Sequence, residues 1–127
     1  MSTHARIGIY ENGAVKSVYC HSDGYIEHVG EILFNHYNTI DKVNKLIMLG
    51  DLSRLDVSIG VKTDFNMPNP NQCIAYHRDR GEDLSIRASD IENMKNWEEY
   101  NYLFTDNNWY VSCRKTDYQF EPLEYHL

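Results

Sequence analysis

The stretch Tyr19–Tyr25, YCHSDGY, gathers a thiol, an imidazole, a carboxylate and two phenols into seven positions. By residue type Cys20, His21 and Asp23 are a nucleophile, a base and an acid, and the same side chains bind metals. Spacing argues against either use. If Tyr19 to His21 close a strand, alternation turns Cys20 and His21 to opposite faces, so they cannot share an ion or a substrate without a break in the strand. His28 and His36 lie two helical turns apart, and His28 with Glu31 makes one i, i+3 pair with no second pair to complete a site. No metal and no cofactor are expected. The structural alternative is a strand-to-helix joint, in which Asp23 or Ser22 caps a helix, Gly24 gives freedom at the bend, Cys20 fills core and His21 sits at the helix entry. A helix entry beside His21 would also suit an anion, although Asp23 would compete for the same amides.

A second cluster, YHRDRGED from Tyr76 to Asp83, offers Arg78 and Arg80 as a forked clamp for phosphate or carboxylate, and Glu82 as a base if burial raises its pKa. Against that stands a solvated loop whose acids and bases pair with each other, which blunts the field a phosphate needs. A third cluster is aromatic and acidic: Trp97, Glu98, Glu99 and Tyr100, then Trp109. Large rings among carboxylates suit an interface with an Arg/Lys-rich partner, although alternate rings of a hairpin also fill cores. The chain has no P-loop, GxGxxG, GxSxG, HExxH or Cys-x-x-Cys. Common enzyme classes therefore lack support.

Composition sets the bounds. A chain of 127 residues fits one compact domain, 1–127, and 42% apolar residues can fill one core. Cys20, Cys73 and Cys113 are widely spaced and odd in number, which reads as three buried free thiols in a reducing compartment. Net charge is −7, and residues 79–127, with eleven acids against five bases, carry nearly all of it. A bare nucleic-acid partner is disfavoured, because binding one needs a basic face; a protein with a basic surface is allowed. No apolar run is long enough to span a bilayer and no secretory pattern opens the sequence, so a soluble cytoplasmic protein with no membrane contact is expected.

The elements that must position these residues are legible in outline. RIGIYENGAVKSVYCH reads as a hairpin about Asn12-Gly13, and YNYLFTDNNWYVSCRK as another about residues 106–108. Helical spacing predicts a helix over 24–37, a second capped by Thr39 with Gly50 beyond its end, and a third over 90–100 from the capping box of Ser89 and Glu92. Residues 51–56 read as a turn capped by Asp51, 57–63, 73–78 and 84–87 as strands, 64–72 as a surface loop, and Pro122 confines the last strand to an edge. The expected fold is α+β: an antiparallel sheet of about five to seven strands with three helices on one side.

Four blocks in order, CHSDGY, LGDLS, YHRDRGED and YNYLF-turn-WYV, resemble a group of small bacteriophage and prophage proteins along about the whole chain. The resemblance implies a viral accessory protein in the cytoplasm of an infected bacterium. Such a protein is expected to bind and inhibit or modulate a host protein, for example one of a defence system or a nucleic-acid-processing complex. The binding residues are then Trp97, Glu98, Glu99, Tyr100 and Trp109. The alternative is a small enzyme or ligand-binding protein for a phosphorylated or nucleotide-like molecule, using His21, Asp23, Arg78, Arg80 and Glu82; a weaker one is a virion or assembly component.

Overall fold

The structure, a computed structural model, describes residues 3–127. β1 (Ala5–Glu11) and β2 (Ala14–Cys20) form the expected first hairpin, with Asn12 and Gly13 at φ 54° and 79°, the left-handed pair that a two-residue turn demands. A widened turn of π-helix, Ile26–Gly30, runs into α1 (Glu31–His36). α2 (Ile40–Ile47) follows Thr39, whose hydroxyl accepts the Lys42 amide at 3.3 Å. β3 (Leu52–Arg54), β4 (Ile74–Ala75), α3 (Tyr76–Arg80), β5 (Arg87–Ser89) and α4 (Ile91–Met94) are all short. β6 (Tyr100–Thr105) and β7 (Asn108–Cys113) make the second expected hairpin, and β8 (Glu121–Pro122) adds a short edge to β7.

The α+β class holds, but the sheet differs from an antiparallel one of five to seven strands. Among the described residues it has eight strands in the order β4-β3-β2-β1-β6-β7-β8, with β5 also on β2, and two of its pairings are parallel: β1 with β6 and β2 with β3. The two hairpins meet edge to edge through β1 and β6, separated by enough chain for the crossover that parallel pairing requires. The short strands escaped a reading based on runs of four or more residues. Among the described residues there are four α-helices rather than three, and none is long and apolar enough to cross a membrane.

Alternation divides the sheet into two faces. Ala5, Ile7, Ile9, Val18 and Cys20, with Tyr102, Phe104, Trp109 and Val111, pack under the first helices on Val29, Leu33, Val43 and Leu46 to form the main core. The other face carries Arg6 and Gly8 of β1, Val15, Ser17 and Tyr19 of β2, and Asn101 and Leu103 of β6. Here Met94 of α4 packs with Val15 and Leu103, and a side chain at Gly8 would meet Met94 Cε at 2.9 Å. Helices therefore cover both faces rather than one.

Several local readings are overturned. The helix over 24–37 has no Asp23 or Ser22 cap: its N-cap is Tyr25 without a side-chain bond, because Asp23, at φ 54°, turns to Arg54. The helix over 90–100 ends at Met94, and Asp90 rather than Ser89 caps it by accepting the Asn93 amide. What stops it is Asn101, buried on β6, whose Oδ1 accepts the Glu98 amide while its Nδ2 donates to the carbonyls of Lys95, Glu98 and Ser112. Backbone groups that a helix would have paired are held by one side chain, and the chain folds into a loop. Of the sequence-predicted strands, 57–63 keeps a single bridge, Ser58 to Gln72, and 73–78 keeps only β4 before the chain turns helical. The turn expected at 51–56 is instead β3, and Asp51 accepts the Tyr19 amide at 2.9 Å, filling the gap on the edge of β2 between β3 and β5.

Candidate functional site

On the second face the hairpin register sets four polar side chains into a square tile. Arg6 stands opposite Tyr19, and because Ala5 pairs with Cys20, His4 comes opposite His21. Alternation then puts all four on one side, while Cys20 points into the core, its thiol pushed up to about 12 by burial.

Tyr19 links the two imidazoles. Its hydroxyl lies 2.9 Å from His4 Nδ1 and 2.8 Å from His21 Nδ1, and His4 Nδ1 also lies 2.9 Å from the His21 carbonyl. A carbonyl only accepts, so His4 Nδ1 carries the hydrogen, and the hydroxyl is left to donate to His21 Nδ1. This assigns neutral His21 the Nε2–H tautomer and leaves His4 Nε2 as a free acceptor.

Arg6 is the anomaly of the tile. It sits on a central strand and is 5% exposed. Its Nη1 donates to Ser17 Oγ at 3.0 Å, its guanidinium carbon lies 4.2 Å from the centroid of the Trp97 ring, and its Nε is buried without a partner. Among the described residues no carboxylate lies within ion-pair distance of it. Burial lowers its pKa, opposed by the more distant charges of Asp51 and Glu98, with Arg87 lowering it further. A desolvated guanidinium normally has a paired anion and full hydrogen bonding. This one has a hydroxyl and an indole.

The residues singled out in the sequence are placed as follows. Asp23 pairs with Arg54 at 2.8 Å. Arg78 spends four of its N–H groups on Asp79, the Ile59 carbonyl and the Cys73 carbonyl, leaving no fork to clamp a ligand. Arg80 pairs with the exposed Glu82 and lies over the rings of Phe65 and Tyr76. Of that set only His21 belongs to the tile. Trp97 covers Arg6, and Glu99 accepts the His4 amide at 3.4 Å. Glu98 stands at the same bend, and Tyr100 stacks on Tyr102. Trp109 is 1% exposed and donates to the Tyr37 carbonyl at 2.8 Å, so it fills the core and presents nothing to a partner. Among the described residues no three His, Cys, Asp or Glu side chains are grouped to hold a metal.

The sequence reading missed His4, Arg6 and Tyr19 as a group. The signal was present: a two-residue turn at Asn12-Gly13 fixes which residue of β1 faces which residue of β2, and the dyad pattern then aligns His4-x-Arg6 with Tyr19-x-His21. No family model, curated protein or solved structure matches this chain.

Proposed function

We propose that this protein binds a small anionic molecule, a phosphate ester or carboxylate, on the His4–Arg6–Tyr19–His21 tile. The observation that carries the reading is Arg6, a buried guanidinium that, among the described residues, has no anion beside it and one nitrogen without a partner. An anion there would supply the missing charge and acceptors. The half-buried His4, Tyr19 and His21 leave an approach from their side, and Arg87 adds a second positive charge. The test is titration of the protein with inorganic phosphate, followed by the side-chain NMR signals of His4 and His21 and by calorimetry. Saturable shifts of both imidazoles are expected, with affinity falling about 10- to 100-fold in Arg6→Met, the loss of one or two charge-assisted bonds. Imidazole signals that do not move, or equal affinity in Arg6→Met, would overturn the reading.

A second reading, the accessory protein that docks on a basic host protein, is favoured by Glu98 and Glu99. Among the described residues neither lies within ion-pair distance of a Lys or Arg, and they stand in the acid-rich part of the chain. Retention from a bacterial lysate should be lost at high salt and in the double variant Glu98→Lys, Glu99→Lys. A partner retained by that variant as well as by the wild type would sink the idea.

A further inference from the structure

The Arg6 tile adjoins a groove through a shared wall, and that wall is an aromatic ring. The groove has a volume of about 490 Å³ and is lined by Ala88, Ser89, Asn93 and Trp97. It is several times larger than a phosphate group needs. Trp97 belongs to both places: its ring lies over the Arg6 guanidinium and its indole walls the groove. Ala88 and Ser89 of the lining belong to β5, which pairs with β2 in the register Val15 with Ser89, Lys16 with Ala88 and Ser17 with Arg87. In such a ladder alternate backbone groups point away from the partner strand, and β5 has no other partner strand among the described residues. The groove thus offers an indole for stacking and, on its β5 side, the outward backbone groups of a three-residue strand. Arg87, opposite the serine that holds Arg6, lies on the same face as the tile, next to the β5 residues that line the groove.

From this arrangement we infer that the anion is carried by a nucleotide: its base lies in the groove between Trp97 and the outer edge of β5, and its phosphate reaches Arg6 and Arg87. A heteroaromatic base fits both surfaces, because it has a π-face for the indole and alternating donors and acceptors along its edge for the strand. The inference rests on the anion-binding reading and adds the part of the ligand that the tile cannot hold.

The experiment compares dissociation constants by calorimetry for AMP, GMP, UMP, adenosine, ribose 5-phosphate and inorganic phosphate. At least one nucleotide is expected to bind 10-fold or more tightly than both ribose 5-phosphate and adenosine, and to change the emission of Trp97, the other tryptophan being buried. Two variants act on the groove. Trp97→Leu removes the stacking wall. Ser89→Phe, at the β5 position that shares the face of Val15 and lines the groove, fills the groove, and should reduce nucleotide affinity to that of ribose 5-phosphate while inorganic phosphate binds as before. If every nucleotide binds within about 3-fold of ribose 5-phosphate, or if Ser89→Phe leaves nucleotide affinity unchanged, the nucleotide inference fails and the anion reading stands. If none of the six binds, or if AMP and adenosine bind alike and Arg6→Met changes neither, both fail.

Discussion

Asp79→Ala is expected to remove about 3–5 kcal/mol of folding stability, the range for leaving one member of a buried ion pair alone. The Asp79 side chain is fully enclosed, and both its oxygens are used. Oδ1 accepts the Thr63 amide at 3.0 Å and Arg78 Nε at 2.9 Å; Oδ2 accepts the Ala75 amide at 2.8 Å and Arg78 Nη2 at 3.1 Å. Arg78 in turn holds the carbonyls of Ile59 and Cys73. The pair is therefore the knot that ties the long excursion between β3 and β4 back onto α3. Against a total stability on the order of 5–15 kcal/mol, losing it brings the domain near its threshold. Asp79→Asn separates charge from shape, since it keeps the size but meets Arg78 without charge.

The same residue has a pH signature. Burial alone would raise the Asp79 carboxyl, but the bonds from Arg78, Ala75 and Thr63 outweigh it and hold the pKa below the ordinary carboxylate value. A depressed folded pKa contributes stability that is present above the unfolded value, about 3.9, and is lost as pH falls through the folded one. Urea melts from neutral pH down through that window should show the wild type losing this contribution while Asp79→Asn, already without it, changes less. An Asp79→Ala protein within about 1 kcal/mol of the wild type at neutral pH would show that the knot does not hold the loop.

Trp109→Ala should be comparably severe, about 3–5 kcal/mol for deletion of a buried aromatic residue. The indole packs edge-on against Phe104 with centroids 5.2 Å apart and is the donor to the Tyr37 carbonyl at the end of α1, so the variant loses volume and leaves a buried acceptor unmet. Trp97→Ala makes the contrast. That ring is half-buried and contributes mainly its contact with Arg6, about 0.5–2 kcal/mol. Parallel urea melts should rank the two substitutions in that order; equal losses would mean that Trp97 is as much a core residue as Trp109.

The two tryptophans therefore differ in what they can offer a partner. As sequence, Trp97 and Trp109 were equivalent anchors beside carboxylates. In space one is enclosed by the helices of the main core, and the other lies over an arginine that periodicity had left among ordinary strand residues.

Much of the fold follows from short-range rules. Asn12-Gly13 and Asp106-Asn107 set both hairpins, Thr39 and Gly50 bracket α2, and Pro122 keeps β8 short at the edge, because turn conformation, capping and the missing proline amide depend on a few adjacent residues. The opposed directions of Cys20 and His21 likewise need only the pleat of a strand. The parallel joining of β1 to β6 and the turn of Asp23 toward Arg54 depend on partners far along the chain, and no short window of sequence contains both members of such a pair; the end of α4 at Met94 depends on Asn101, a near neighbour whose hold on Lys95 and Glu98 is set by its place on β6. The tile lies between these cases. Its residues and their register were already in the sequence, but the burial of Arg6 without an anion came only from folding Trp97 over it, through the hold of Asn101 on a loop that local propensity would have wound into helix.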